Sequence, residues 1–437
     1  MRYGAKTRPG ESVKDWGLKS SGGGGGSTLS LSSPTATTAS PGDGYNYYIF
    51  TASGTIDATG EGPVQVLVFG GGAASAWTSQ SSYWHPNPYG NTWSGSIGPA
   101  GGGGAGGFIE QEIKMYEGTY TVTVGAGGSG PNSSFDYADK GGTSFIAEHP
   151  SHPGGPPTWQ DIVAWGGGGI FLQGPGNFPL IGSTRAIQDP NSFAPDSYAP
   201  FNPTNRPETY DGPNYRQNTP KDYSLRWMGG SGSGEPAYGP SGGYTPNTWM
   251  SFAARDGQGN IGGDAQQQSN PSGPWGGNRG QAGGGGGAGG PGYKSPEPNS
   301  PPNSPYPDYP QPGPARAAGG MGGEGKQSPL LTNILPSIPT LSSDTIAGGG
   351  GGGTAPAPFA PSGAYGGPGQ NGGGAGGPGD SGWPYPPTTG QGTDGAANTG
   401  GGAGGNGWPG NSNPPPGGSR NIGNSGGSGI IVIRIAT

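Results

Sequence analysis

The sequence has no cysteine, only three histidines, and charged residues at 10% of its 437 positions. The absence of cysteine excludes a disulfide framework, a thiolate metal site and a catalytic thiol. No apolar run approaches the roughly 18 residues that a membrane-spanning helix needs, so we expect no membrane insertion. Hydrophobic residues make up 28% of the chain, which leaves little material for an ordinary apolar core. The cohesion of this protein must therefore have another main source.

The charge balance is mildly acidic, with a formal net charge of −7 spread along the chain. Proteins that bind nucleic acid by neutralising phosphates depend on lysine and arginine, so we expect no nucleic-acid partner. The first residues are basic but no apolar stretch follows them, and we therefore expect no secretory signal there.

Motifs that could carry chemistry are weak. Residues 320–326 have the spacing of a phosphate-binding loop, but Gln327 stands where Ser or Thr would hold magnesium, and no strand is predicted before it. His149 and His152 are followed or preceded by prolines that exclude a regular helix, which favours a solvated loop over a metal site. With so few histidines and no nucleophile motif, a hydrolytic triad has little to build on. The sequence predicts no catalytic, cofactor-binding or metal-binding residue, and no enzyme.

Glycine and proline dominate instead, with 104 and 51 residues, a share that usually indicates disorder. The hexapeptide Gly-Gly-Gly-Ala-Gly-Gly nevertheless occurs four times, far more often than composition explains. In the polyproline II conformation a glycine run has no internal hydrogen bonds, so each N–H and C=O needs an outside partner. We predict polyglycine II rods that pack side by side and bond to one another; flexible linkers are the alternative. The four rods begin at Gly102, Gly285, Gly372 and Gly400 and end at Gly107, Gly290, Gly377 and Gly405.

Strand signals crowd into residues 45–165 and return at the end of the chain, whereas helix signals are almost absent. The terminal run 430–435 is so apolar that it needs a partner on each side, and we predict that it returns to the first sheet and closes the fold. Glu117-Gly118 is predicted to be a hairpin turn. The expected fold class is all-β plus glycine rods, with a small sheet and long irregular loops. The predicted strands are 45–51, 64–69, 108–116, 119–124, 143–147, 161–165 and 430–435.

Two parts are expected along the chain. Residues 1–44 are predicted to be an anchoring arm that ends in a Gly/Ser-rich linker. Residues 45–437 form the glycine-rich part, from which two long loop excursions leave, at 170–282 and at the proline-rich 291–345.

The order of segments after residue 44 is distinctive. An aromatic strand ending Phe-Thr-Ala-Ser-Gly-Thr is followed by Val-Gln-Val-Leu-Val-Phe-Gly-Gly-Gly, by Tyr-Thr-Val-Thr-Val-Gly-Ala-Gly-Gly and by a terminal Gly-Gly-Ser-Gly-Ile-Ile-Val-Ile-Arg. This order resembles glycine-rich domain proteins of tailed phages, which are tail-fibre or other virion fibre proteins. The glycine packing is also similar to that of the tail-fibre tip adhesins of T-even-like phages, whose loops project from packed glycine helices and touch the host receptor.

The resemblance implies a non-enzymatic phage virion fibre protein, a tail fibre or adhesin on the particle surface that takes part in host attachment. It implies a homotrimer, anchored to other virion proteins through residues 1–44 and contacting a host-surface glycan or protein receptor. A capsid-attached decoration fibre and a glycine-rich cell-surface or ice-binding structural protein are the alternatives.

Aromatic residues of the loop between the second predicted strand and the first hexapeptide, and of the excursion 170–282, are the candidates for host contact, because rigid rings anchor interfaces and stack on sugars. The alternative is that these rings only cover the ends of the glycine rods and keep water from their backbone. The candidates are Trp77, Tyr83, Trp84, Tyr89, Trp93, Tyr210, Tyr215 and Trp227.

Overall fold

The computed structural model describes part of the chain, and within that part the protein is mostly β-sheet with almost no helix, as the sequence predicts. One short α-helix and one turn of 3₁₀-helix occur there, close together. The described residues are 29–75, 85–86, 92–93, 100–130, 140–147, 162–168, 230–234, 258–263, 265–268, 279–294, 319–354, 366–378, 390–407 and 423–437.

The strands coincide with the predicted runs and add several short ones. The bounds are β1 Ser30–Ser32, β2 Thr37–Ala39, β3 Tyr45–Phe50, β4 Gly54–Thr59, β5 Gly62–Phe69, β6 His85–Pro86, β7 Thr92–Trp93, β8 Phe108–Met115, β9 Gly118–Thr123, β10 Ser144–Ala147, β11 Ile162–Ala164, β12 Gln266–Gln268, β13 Arg279–Gln281, β14 Lys326–Gln327, β15 Thr345–Ile346 and β16 Ile430–Ala436.

Two five-stranded antiparallel sheets form the body of the described fold. The front sheet has the order β1-β4-β9-β10-β11, and the central sheet has the order β2-β3-β16-β5-β8. In the central sheet, Val432 of β16 lies opposite Ile49 of β3 on one side and Leu67 of β5 on the other. The apolar terminal strand therefore has a partner on each side.

The central sheet is buried on both faces, which explains the unbroken apolar runs of β5 and β16. Alternate side chains of each strand point to opposite faces. One face, with Val66 and Ile433, packs against the front sheet, where Ile56 and Val122 are fully buried. The other face packs against a separate cluster.

Residues 328–346 form this second cover, which we call the cap. The cap contains the short helix α1 (Pro329–Thr332) and the 3₁₀ turn Leu335–Ser337. Its apolar side chains are buried against Leu67, Phe69 and Val432 of the central sheet. This stretch is predicted from sequence to lie in a proline-rich excursion, 291–345, and that prediction is wrong for the cap, which packs against the central sheet. The buried cap residues are Leu330, Leu331, Ile334, Ile338 and Leu341.

Two polar contacts fix the cap at its margins. The Ser328 hydroxyl donates to Glu110 Oε2 at 2.9 Å, and Asn333 Nδ2 donates to Asp43 Oδ2 at 2.9 Å. Burial raises the pKa of the Glu110 carboxyl, while the Ser328 hydrogen bond and the nearby Arg434 and Lys326 charges act in the opposite direction. The charged form of Glu110 therefore costs stability in the folded state.

Two further predictions are corrected. The Ser/Thr-rich tract assigned to the linker contains β1 and β2, which lie at the edges of the two sheets. Glu117-Gly118 does not close a hairpin, because β8 pairs with β5 in the central sheet whereas β9 pairs with β4 and β10 in the front sheet. The connection is an arch from one sheet to the other, with Gly118 at a φ of 149°.

Deleting residues 430–437 should prevent soluble folding, because it removes the strand between β3 and β5 and exposes their inner edges and apolar side chains. Soluble yield and circular-dichroism melting measure the effect. Deletion of Thr437 alone, which lies beyond β16, is the matched control. A truncated chain that stays soluble with an unchanged melting curve contradicts this role for β16.

Replacing Glu110 by Gln should raise the melting temperature at neutral pH, since Gln keeps an acceptor for Ser328 and removes the buried charge. A carboxyl whose pKa is higher in the folded than in the unfolded state binds its proton more tightly when folded, so its penalty disappears as the pH falls through that pKa. The difference between Glu110→Gln and the parent chain should therefore shrink in mildly acidic buffer. A difference that is constant with pH, or that grows in acid, contradicts the assignment.

Candidate functional site

The structure brings the four predicted glycine rods together into one body of hydrogen-bonded backbone, which we call the glycine lattice. Further glycine-rich segments join them, including residues 230–234 and 258–263, although the sequence predicts these to lie in the excursion 170–282. The segments of the lattice are 70–75, 100–107, 125–130, 140–143, 165–168, 230–234, 258–263, 282–294, 319–325, 347–354, 366–378, 390–396, 400–407 and 423–429.

Segment 100–107 lies at the centre of the lattice. Gly102 and Ala105 both donate to segment 282–294, through the carbonyls of Gly283 and Gly286 at 3.1 and 3.0 Å. Gly103 and Gly106 both donate to segment 400–407, at 2.7 and 2.8 Å. Backbone N–H groups three residues apart thus donate to the same neighbouring segment. Hydrogen bonds also join this segment to 70–75, 165–168, 230–234 and 347–354.

The same interval recurs in segment 347–354. Gly348, Gly351 and Thr354 donate in turn to Asn371, Gly374 and Gly377 of one neighbouring segment, at 3.2, 2.9 and 3.3 Å. Every third N–H of this segment therefore points in the same direction.

The segments approach too closely for side chains. A Cβ atom added at Gly102, Gly350 or Gly402 would fall on the carbonyl oxygen of a neighbouring segment, at Gly350, Ala403 and Gly103 respectively. Glycine is required at these positions by space, since real Cβ atoms do not approach backbone so closely.

The alanines of the repeats occupy different environments. Ala105 and Ala403 are fully buried, Ala288 is partly buried against the cluster beneath the cap, and Ala375 is exposed. The repeats are thus alike in sequence but different in depth within the lattice.

One end of the lattice is continuous with strands of the central sheet. Gly70 follows β5, Gly107 precedes β8 and Gly429 precedes β16, all at the same end of the central sheet because these strands are antiparallel neighbours. Gly429 also donates to the carbonyl of Gly125 at 2.8 Å, which ties the two sheets together where the lattice begins.

The opposite end, which we call the far layer, contains the described residues that flank four further stretches of the chain, which lie largely outside the described residues. We call these stretches excursions as well; they are 76–99, 355–365, 379–389 and 408–422. Ala100 donates to Asn406 at 2.9 Å and accepts from Gly353 at 2.9 Å, while Gly407 donates to Gly390 at 2.7 Å. The feet of the four excursions therefore share one hydrogen-bonded platform. It consists of Ser75, Ala100, Gly353, Thr354, Gly377, Gly390, Asn406, Gly407 and Asn424.

A buried amide network braces the far layer. Asn424 Nδ2 donates to Asn406 Oδ1 at 2.9 Å and to the Gly404 carbonyl at 2.6 Å. The Gly392 N–H donates to the same Asn406 oxygen at 2.8 Å, and the Asn424 N–H donates to the Ser75 hydroxyl at 3.1 Å. Because Ser75, Asn406 and Asn424 are buried, these bonds are shielded from water and fix the excursion feet relative to one another.

Of the predicted aromatic contact residues, the structure describes only Trp93, and only its backbone. Trp93 belongs to β7, whose backbone pairs with β6 so that Trp93 lies opposite His85 within the excursion 76–99. The other candidates lie outside the described residues, namely Trp77, Tyr83, Trp84, Tyr89, Tyr210, Tyr215 and Trp227.

The spacing of non-glycine residues in the sequence indicates how deeply a segment is buried in the lattice, and the predictions made from the sequence did not use it. Segments at the lattice boundary carry exposed non-glycine residues at intervals of three, such as Gln391 with Asp394 and Thr393 with Ala396. In segment 125–130 the exposed residues Ala126 and Ser129 have the same interval. Segments without this pattern, such as 348–353, are fully buried.

The described residues contain no group of three or more side chains suited to hold a metal ion. Among the helices that the structure describes, none is long and apolar enough to cross a bilayer. Comparison with protein-family models gives no match, and a search of curated proteins gives no significantly similar sequence. The proposal below therefore depends on the geometry of the lattice and on the resemblance noted in the sequence.

Two glycines of one repeat provide a test of the lattice. An alanine at Gly286 places its Cβ on the carbonyl oxygen of Asn260, whereas an alanine at Gly290 meets nothing nearer than 3.6 Å. Gly286→Ala should cost about 3 kcal/mol or more of unfolding free energy, because the segments must separate. Gly290→Ala should change it by less than about 1 kcal/mol. Chemical denaturation of both variants measures this, and equal effects would contradict the packing.

Proposed function

We propose that this chain is a non-enzymatic phage virion fibre protein, a tail fibre or adhesin that acts in host attachment from the particle surface. The observation that carries the proposal is the far layer, where the described residues that flank four excursions share one hydrogen-bonded platform. A scaffold whose interior is backbone leaves its side chains for the surface, and binding residues are commonly placed on loops that a rigid scaffold positions.

The lattice segments are polyglycine II helices in this proposal. Such a helix has about three residues per turn, so donors at i and i+3 must address the same neighbour. The pairs Gly102 with Ala105 and Gly103 with Gly106 have this arrangement. Six neighbouring segments around 100–107 also suit hexagonal packing of threefold helices.

The C-terminal strand closes the fold in this proposal. β16 is the central strand of the central sheet and contributes apolar side chains to both buried clusters. It also continues from segment 423–429 of the lattice, so the last strand joins the sheets to the lattice. The sandwich and the lattice then fold as one unit.

The assembly is a homotrimer anchored to other virion proteins through the part of residues 1–44 that precedes β1, since β1 and β2 belong to the sheets. The trimer derives from the resemblance to phage fibre proteins, and closed rotational symmetry is the common arrangement of homo-oligomers. The receptor is a glycan or protein of the bacterial surface, contacted by the aromatic residues of the excursions.

Binding of the labelled full-length chain to a panel of bacterial strains, including hosts of phages that carry it, tests this function. Some strains should bind, and Trp84→Ala or Trp93→Ala should weaken binding by about tenfold or more, as for aromatic anchors at interfaces. Glu61→Gln is the matched control, because Glu61 is exposed beside Lys114 at the end of the sandwich opposite the lattice. Its binding should be unchanged.

Absence of binding to every strain, together with normal adsorption of phage particles that lack the chain, would exclude an attachment role. Immunoelectron microscopy of intact particles separates the remaining positions. Label at the tail tip supports the adhesin, whereas label spread over the capsid indicates a decoration fibre.

A further inference from the structure

Residues 125–130 form a segment at the boundary of the described lattice, where Ala126 and Ser129 are exposed. Among the described residues this segment contacts three others, namely 70–75, 140–143 and 423–429. The central segment 100–107 has neighbours on all sides. Among the described residues, Gly127 and Ser129 make no hydrogen bond. We call residues 125–130 the edge rod.

An edge rod presents N–H and C=O groups to any chain that can approach closely enough to pair with them. The unpaired edge of a β-sheet has the same property and serves as a template for another chain. Here the approach distance restricts the partner, because the lattice leaves no room for a Cβ between neighbouring segments. The occupant must therefore be rich in glycine, and a run of consecutive glycines meets this requirement in any orientation.

The sequence contains one such run that is not already in the lattice. Gly22 to Gly26 are five consecutive glycines, and they lie outside the described residues. They come shortly before Leu29, whose side chain is buried in the core between the sheets. The position of Leu29 therefore fixes where this run can reach.

Leu29 lies at the end of the sandwich opposite the edge rod of its own chain. Leu31 of β1 is opposite Ala58, and Ala58 is opposite Gly118 at the start of β9. The edge rod begins at Gly125, seven residues further along, and Leu29 is two residues beyond Leu31 in the other direction. At about 3.4 Å per residue the separation is about 30 Å.

The arm is too short to cover that distance within one molecule. Gly22 is seven residues from Leu29, so even a fully extended chain carries it no more than about 25 Å. Gly26 is three residues away and reaches no more than about 11 Å. The whole run therefore stays short of the edge rod of its own chain, and is free to reach that of another.

Charge favours a second copy as the partner. The first 28 residues hold five basic and two acidic side chains, while the rest of the chain holds fourteen basic and twenty-four acidic ones. Asp394 is exposed two segments from the edge rod and accepts from the Ser425 N–H at 2.7 Å. A basic arm is thus attracted to the acidic body of a neighbouring molecule.

We infer that residues 22–26 of one molecule pair with the edge rod of a second copy of the same chain, as one more segment of its lattice. The contact is head-to-tail, because Leu29, the first described residue after the run, lies at the end of the sandwich opposite the lattice. Heterologous contacts of this kind generate rings or filaments. The inference rests on the packing of the lattice and is independent of host attachment, although it names what part of the proposed anchoring arm binds.

Sedimentation of the full-length chain over a range of concentrations tests this contact. The parent chain should self-associate, and Gly24→Val should weaken association by about tenfold or more, because a branched side chain keeps the run away from the edge rod. Gly10→Val is the matched control, since it makes the same substitution in the same arm outside the glycine run. It should leave association unchanged.

The receiving surface has its own pair of variants. Ser129→Lys places a bulky cation on the edge rod and should weaken association as Gly24→Val does, while Thr38→Lys, exposed on β2 far from the lattice, should not. Unchanged melting temperatures will show that each variant folds. A chain that stays monomeric, or that associates equally well with Gly24→Val, overturns the inference; in the latter case other virion proteins become the partner of the arm. Neither result bears on binding to bacterial cells.

Discussion

The structure depends on one constraint, which is that backbone must pair with backbone at distances that exclude a Cβ atom. Side chains supply little of the interior of the lattice. Glycine costs about 0.5–1 kcal/mol more than alanine to order, so such an arrangement persists only if each ordered segment satisfies hydrogen bonds on several sides. Segment 100–107 does so with six neighbours. The lattice is therefore cooperative, because removing one segment leaves the donors and acceptors of several others unpaired.

The sandwich gives this lattice a starting surface. Strands β5, β8 and β16 hold three glycine segments side by side at one end of the central sheet, which reduces the entropy lost when the segments meet. The cap protects the second face of the same sheet with five buried aliphatic side chains. An apolar core of ordinary kind is thus present but small, and it lies where the chain needs a template.

Much of the fold is predictable from sequence because the signals are local. The glycine repeats and the apolar runs at 64–69 and 430–435 determine their own geometry. Strands β1, β2 and β4 were missed because β1 and β2 have only three residues each and β4 contains Gly, Asp and Ala, which are depleted in strands; their pairing comes from neighbours. The arch at Gly118 was read as a hairpin because a turn signal does not state which sheet the next strand joins.

The cap and the lattice boundary each have a sequence pattern from which they could have been predicted. Leu330, Leu331, Ile334, Ile338 and Leu341 have the spacing of one helical face, but the surrounding prolines hid it. The interval of three between exposed residues in segments such as 390–396 separates boundary segments from buried ones, and it is visible only once threefold packing is considered. The excursion aromatics carry no periodicity, so neither their contacts nor their partners follow from the sequence.

Amide hydrogen exchange of the full-length chain tests the central claim most directly, because it reports hydrogen bonding residue by residue. The glycine segments 100–107, 348–353 and 400–405 contain no strand or helix, yet their amides should be protected to a degree comparable with β16. They should also open together with the sandwich. Exchange of these segments at the rate of an unfolded chain, while β16 stays protected, would show that the lattice is not the scaffold of this protein.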